Sequence, residues 1–157
     1  MPHRAISRRK ALCLGASAAA LLFALPARAE AIKAVVHKSA TCGCCGLWGA
    51  RLRQEGYAVE EIDEPDLDAV KTRLGVPDQL ASCHTAEIDG YIVEGHVPPQ
   101  AIARLLKERP KAIGLAAPGM PMGSPGMEGA REEVYILYLF DASGAREYGK
   151  WRGDKPA

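Results

Sequence analysis

The stretch AIKAVVHKSATCGCCGLWGARLRQEG, Ala31 to Gly56, decides how this chain folds. Its first eight residues, Ala31 to Lys38, are short, apolar and β-branched, the composition of a buried strand. SATCG then reads as a loop. After it, CCGLWGARLRQEG carries Leu47, Arg51 and Leu52 at helical spacing and Gly56 as a stop, although Gly46 and Gly49 weaken a helix. A strand thus runs into a helix, and the junction holds three thiols in four residues, Cys42, Cys44 and Cys45.

The placement matters chemically. A helix N-terminus presents unpaired amide donors and partial positive charge, and both favour thiolate over thiol. Cys42 and Cys45 form a C-x-x-C pair there, which resembles the thioredoxin arrangement. Cys44 departs from it. A third thiol offers a simple dithiol oxidoreductase a competing partner. It helps a metal site, because clustered thiolates suit soft cations such as Cu(I), as well as Zn(II) and iron–sulfur clusters.

Outward from the junction, YAVEEID (Tyr57 to Asp63) alternates as a strand should. EPDLDAVKTRLGV has a helix start at Pro65-Asp66, apolar Leu67, Val70 and Leu74, and a stop at Gly75. Asp89-Gly90 is a hairpin turn between the arms HTAEI and YIVEG. PPQAIARLLKERP is a helix with proline near its first turn and Ile102, Leu105 and Leu106 on one face. Two strands joined by a helix imply a parallel pair, and the hairpin adds an antiparallel pair. The Gly/Pro-rich segment AIGLAAPGMPMGSPGMEGAREE reads as a long surface loop. Val134 to Phe140 is a strand, and REYGKW returns as a short one after a turn. The order resembles the thioredoxin fold: an α/β domain with a central mixed sheet flanked by helices, plus a Gly/Pro/Met-rich loop and a C-terminal strand.

The 157 residues suit one domain preceded by a leader. MPHRAISRRK is a basic segment, ALCLGASAAALLFAL an apolar run too short to span a membrane, and Ala27 to Ala29 a small-residue cleavage site. Residues 1–29 are therefore expected to be a removed signal peptide, and 30–157 a single metal-binding domain. SRRK also matches a twin-arginine signal except for Ala11, so either export route fits. Cys13 and His3 leave with the leader. Without it, 15 basic residues face 19 acidic ones, a net charge of −4. That balance argues against a nucleic-acid partner. The expected location is the periplasm, with no stable membrane anchor.

Four cysteines remain: Cys42, Cys44, Cys45 and Cys83. An even count in an exported chain permits disulfides. A domain of this size does not require them, and a bridge inside CGCC closes almost no loop. Cys83 is followed by His84, a thiol beside an imidazole; the alternative to a ligand role for Cys83 is a core residue. The remaining methionines, Met120, Met122 and Met127, all lie in GMPMGSPGM. Thioethers suit Cu(I), whereas zinc seldom uses them; the alternative for these residues is an adaptable apolar lid. His96, in GHVP, is a further candidate ligand, and His37 a weaker one.

Taken together, CGCC after a strand, SCHT before the hairpin, EGHVP before the third helix and APGMPMGSPGME resemble the CopG-like periplasmic copper-resistance proteins, a family long described as a domain of unknown function. The likeness runs from Ile32 to Phe140. It implies a thioredoxin-like fold in which the segment entering the hairpin packs against the C-x-x-C loop, bringing Cys83 and His84 to the cluster. It further implies copper held by clustered cysteines, with redox cycling of the metal left open.

The leading expectation is thus a periplasmic protein of copper resistance whose Cys42, Cys44, Cys45 and Cys83 hold Cu(I), as one ion or as several bridged by sulfur. His84, His96, Met120, Met122 and Met127 complete or cover the site, and other periplasmic copper-handling proteins are its partners. The rival reading is a thiol–disulfide oxidoreductase using Cys42 and Cys45 as its redox-active pair. A third is a structural exported domain with two disulfides.

Overall fold

The structure is a computed structural model that describes residues 30–157; the expected leader, with Cys13, lies outside the described residues. Its elements in chain order are β1 (Lys33–Lys38), α1 (Gly43–Gln54), β2 (Ala58–Asp63), α2 (Leu67–Leu74), a 3-10 turn (Asp78–Leu80), β3 (His84–Ile88), β4 (Tyr91–Glu94), α3 (Pro99–Glu108), β5 (Gly114–Ala116), β6 (Val134–Asp141), β7 (Gly144–Arg152) and β8 (Lys155–Pro156).

The strands form one mixed sheet in the order β2-β1-β3-β4-β5-β6-β7-β8. β1 and β2 run parallel across α1, as do β4 and β5 across α3; the other neighbours are antiparallel. The fold is α/β and thioredoxin-like. The Asp89-Gly90 hairpin forms with both residues at positive φ, 47° and 86°, the backbone that a two-residue turn of matching twist demands. Helix α2 starts where Asp66 caps it, its side chain accepting from the Ala69 amide at 3.0 Å, and ends at left-handed Gly75.

Alternation along the strands divides the interior in two. One cluster joins Ala34, Val36, Ala86, Ile88, Val93 and Leu115 of the sheet to Trp48 and Leu52 of α1 and to Ala101, Ile102 and Leu105 of α3. The other face carries Ala116 and Phe140 packed with Val76 and Leu80.

Three expectations are corrected here. Leu47 is not on the core face of α1: it is 59% exposed, and Cys45, Trp48, Gly49 and Leu52 are the buried residues. The large indole belongs inside, and a 100° step per residue then turns Leu47 outward. The Gly/Pro-rich segment is not a surface loop throughout. Gly114–Ala116 is the inner strand β5, and Pro121 and the run 123–126 are buried. That backbone can be buried because it answers its own polar groups: the Ser124 hydroxyl donates to Pro121 O at 2.6 Å, Met127 N to Ser124 O at 2.8 Å and Gly123 N to Met127 O at 2.9 Å. Finally, the return after Phe140 is a nine-residue strand, β7, paired along β6.

Candidate metal centre

The centre is built where β1 ends. Ser39 O accepts from the Cys42 amide at 3.0 Å, closing the turn into α1. Cys42 is the N-cap residue, its side chain makes no capping bond, and the first turn contains no acidic residue. The sulfurs of the CGCC turn therefore sit in the uncompensated positive field of a twelve-residue helix.

Across from this turn lies the segment entering β3. Trp48 packs its indole against the His84 ring, tilted by 43° with centroids 4.3 Å apart, and donates from Nε1 to Val97 O at 2.9 Å, tying α1 to both sides of the hairpin. That packing brings residue 83 to the cysteine turn. Cys44 Sγ lies 3.5 Å from Cys42 Sγ and 3.9 Å from Cys83 Sγ, while the Cys45 sulfur is 3.6 Å from Cys83 O. Cys42 and Cys45 are joined in a disulfide, so Cys44 and Cys83 carry the free thiols among the described residues.

Cys83 also belongs to a second group. His96 Nε2 is 3.0 Å and His84 Nδ1 3.3 Å from its sulfur, and the two imidazoles meet edge to face at 4.9 Å. The Pro125 carbonyl can only accept, so the proton of neutral His96 lies on Nδ1, which donates to it at 2.8 Å. Nε2 then presents a lone pair to Cys83. His84 is fully buried, and its Nε2 has no hydrogen-bond partner among the described residues. Ligand atoms of Cys42, Cys44, Cys45 and Cys83 lie within 4.8 Å of one another, and so do those of Cys83, His84 and His96. Cys83 is common to both sets.

Burial sets the charge states. It pushes the Cys83 thiol up to about 12, helped by the neighbouring Cys44 sulfur. It holds His84 well below the ordinary imidazole value, with His96 and Lys71 adding to the effect. His96 is lowered by burial too, against the opposing pull of the Pro125 carbonyl and Glu128. The metal-free pocket thus holds a protonated thiol and two neutral imidazoles, donors that lose only the thiol proton on meeting a cation.

The methionine loop wraps this centre with its backbone. Gly126, at φ +85°, is seated so closely on α1 that a Cβ there would stand 2.8 Å from Cys44 O and 2.9 Å from Trp48 N. The Ser82 hydroxyl donates to Gly119 O, anchoring the loop beside Cys83. Met120 and Met122 are 54% and 44% exposed, and Met127 is half-buried. Met122 is fastened by its backbone to Glu133 at the entry to β6. His37 stands apart from the centre, bonded to Glu64 at 2.7 Å and Glu87 at 3.1 Å.

One group of residues was not foreseen. Glu94, wholly buried, accepts from Lys71 Nζ, the Ser82 amide and the Thr85 hydroxyl, each at 2.6 Å, and Lys71 Nζ also donates to Thr85 Oγ1 at 2.9 Å. The available signal was a charged residue at the end of the otherwise apolar run YIV, and a lysine directly after Val70 on the packed side of α2.

A family described as "Protein of unknown function, DUF411" matches residues 80–127, the span holding Cys83, His84, His96 and the methionine loop. No curated protein matches the chain. Two solved structures do. "Copper resistance protein copG- Form 2" is 46% identical, the match covering 78% of this chain and 99% of that one with a TM-score of 0.74. "Copper resistance protein copG- Form 1" is 46% identical, covering 79% and 100%, with a TM-score of 0.73.

Proposed function

The chain belongs to the family of the CopG copper-resistance proteins, and from that membership we propose that it is an exported copper-handling protein whose clustered cysteines hold Cu(I). The observation that carries the reading is the approach of Cys83, 38 residues along the chain from Cys45, to the CGCC turn, which puts four sulfurs in one pocket. Sulfur donors at that density favour a soft monovalent cation over hard divalent ones. Copper is cargo in this reading. With the Cys42–Cys45 disulfide reduced, Cys42, Cys44, Cys45 and Cys83 bind it, His84 and His96 complete the set from the far side of Cys83, and Met120, Met122 and Met127 supply thioethers at the rim. Residues 1–29 direct export and are removed near Ala29, and the partners are other periplasmic proteins that deliver or receive copper.

The donors present fit such an ion. The His96 tautomer is fixed by a backbone carbonyl, as is usual for metal-binding imidazoles. His84 turns Nδ1 to the cluster, 3.3 Å from the Cys83 sulfur. The test is retention of copper. Protein from Glu30 onward, reduced and loaded with Cu(I) without oxygen, is desalted and its copper measured against a variant with all four cysteines changed to serine. Equal retention by the two would sink the reading.

A second reading is supported by the disulfide itself. Cys42–Cys45 lies at the start of α1 as a C-x-x-C disulfide, the arrangement of a thiol–disulfide oxidoreductase. Reductase activity that survives Cys44→Ser and Cys83→Ser in metal-free buffer would favour it.

A further inference from the structure

We propose that Glu94, paired with Lys71, is a positioning residue for the metal centre: its carboxylate fastens the Ser82–Thr85 segment to the end of β4 and so sets Cys83 against His96. The inference rests on the copper-binding reading for its purpose, though not for its geometry. Cys83 and His96 come from different segments, and their 3.0 Å approach needs those segments held in register. The regular β3–β4 ladder pairs Thr85 with Glu94 and ends there. Beyond it, Gly95 N bonds back to His84 O at 3.0 Å, but among the described residues no ladder partner holds Ser82 or Cys83. Glu94 takes over that role. Oε1 accepts from the Ser82 amide and from Lys71, and Oε2 from the Thr85 hydroxyl, so one carboxylate grips the chain on both sides of Cys83 and His84.

The main chain of Glu94 is clamped as well. Its carbonyl accepts from Ala117 N at 2.9 Å. The next residue, Gly95, is at φ +74°, where a Cβ would stand 2.5 Å from Ser82 Oγ and 2.6 Å from Ala117 O. The turn from Glu94 to His96 therefore has little room to shift without moving Ser82.

Stability alone does not call for such a pair. Two charges withdrawn from water carry a desolvation penalty, and well-packed apolar residues of similar volume commonly serve as well or better. What apolar residues cannot do is accept from the Ser82 amide. The ion pair is 6% exposed at Lys71 and wholly buried at Glu94, directly beneath the segment that bears the two thiol-to-imidazole contacts. Its directed bonds are the feature that distinguishes it from a packed core.

The experiment compares wild type, the double variant Lys71→Met with Glu94→Leu, and Glu94→Gln. Each is studied as protein from Glu30 onward, by three measurements: thermal unfolding, competition for Cu(I) against a chromophoric chelator in the reduced state, and the ring 15N shifts of His96 in the metal-free state. The double variant is expected to unfold cooperatively near the wild-type temperature, to bind Cu(I) at least tenfold more weakly, and to show a displaced His96 Nε2 resonance as its contact with Cys83 loosens. Glu94→Gln, which keeps shape but loses one acceptor, is expected to show a smaller displacement in the same direction. A folded double variant with wild-type affinity and an unmoved Nε2 resonance overturns the proposal. If the double variant does not fold, Glu94→Gln decides, and an unmoved resonance there overturns it equally. Wild type that fails to hold copper defeats the copper reading alone, because the resonance of the metal-free protein still decides the positioning claim.

Discussion

Cys83 Sγ stands 3.0 Å from His96 Nε2, and the opposite nitrogen of that ring is held at 2.8 Å by the Pro125 carbonyl. The thiol that closes the four-sulfur group is thus the same thiol that a fixed, neutral imidazole addresses. Under the copper reading, a cation held at Cys83 has the nitrogens of His96 and His84 beside it, and the Pro125 carbonyl of the methionine loop keeps the His96 ring with Nε2 toward the thiol.

Replacing His96 by alanine removes one donor and frees Cys83 on that side. Under the copper reading, Cu(I) affinity is expected to fall at least tenfold, the scale at which even outer partners of metal ligands act. Chelator competition on the reduced protein measures it. Glutamine, which is unable to reproduce the ring geometry, should not restore binding.

The reactivity of Cys83 follows from its burial. A thiol raised to about 12 is almost entirely protonated at pH 8, and the thiolate is the nucleophile. Carbamidomethylation of Cys83 in the metal-free, disulfide-bonded protein should be at least tenfold slower than that of glutathione at the same pH, as read by peptide mass mapping. Raising the pH through 10 should accelerate it steadily, because the thiolate fraction still grows there.

Much of this arrangement is legible in the chain, and the limits are physical. The junction at Ala31–Gly56 declares itself because a β-branched run, a cysteine turn and a glycine stop are local signals. The Asp89-Gly90 hairpin and the α2 caps are local in the same sense. That Cys83 meets Cys44 is not local; it came from resemblance to a family, since spacing along a chain does not fix distance across a sheet. The oxidation state of Cys42 and Cys45 was open for a related reason: three thiols on one turn are compatible with a bridge, a dithiol or ligation. Lys71 and Glu94 escaped because periodicity treats charge as a mark of solvent, and an ion pair buried between α2 and β4 inverts that rule. Leu47 failed in the opposite sense, an apolar residue turned outward once Trp48 had taken the interior.

The same ion pair gives a pH-dependent prediction. Burial raises the Glu94 carboxyl, and Lys71 is the first of the influences that oppose this. Lys71→Met removes that opposition and leaves a buried carboxylate without its counter-charge, a change costing about 3–5 kcal/mol where one partner of a buried pair is lost. The folded variant then binds the Glu94 proton more tightly than the unfolded chain does, so its stability falls as pH rises above the ordinary carboxyl value of about 4.3. Urea unfolding at pH 5 and pH 8 should show the gap between variant and wild type widening toward pH 8. A gap that narrowed would mean Glu94 is not the group left unpaired.

Two free thiols are expected per oxidised chain from Glu30 onward, those of Cys44 and Cys83, and four after treatment with a dithiol. Titration with a chromogenic disulfide in denaturant counts them directly. Under the copper reading, the Cu(I) retained after desalting should rise with the same reduction, because it converts two bridged sulfurs into ligands. Four thiols without reductant would show that the bridge is not the resting state of the isolated protein.

Gly126→Ala tests how tightly the methionine loop is seated. The backbone there is left-handed, and an added Cβ would press on Cys44 O and on Trp48 N at the first turns of α1. A non-glycine residue held in such a conformation costs on the order of 1–3 kcal/mol before any clash is counted. The methyl also has nowhere to go, since both neighbours are backbone atoms of a helix. The loop must therefore lift, and lifting it withdraws the Pro125 carbonyl from His96. Two losses should appear together: a stability loss in urea unfolding larger than the about 1–3 kcal/mol of backbone strain, and, under the copper reading, a weakening of Cu(I) binding that Gly119→Ala, a site with open space around it though also at positive φ, reproduces much less. If Gly126→Ala lowered stability and left copper affinity at the wild-type value, the loop would be fastening the fold while His96 kept its orientation by other means.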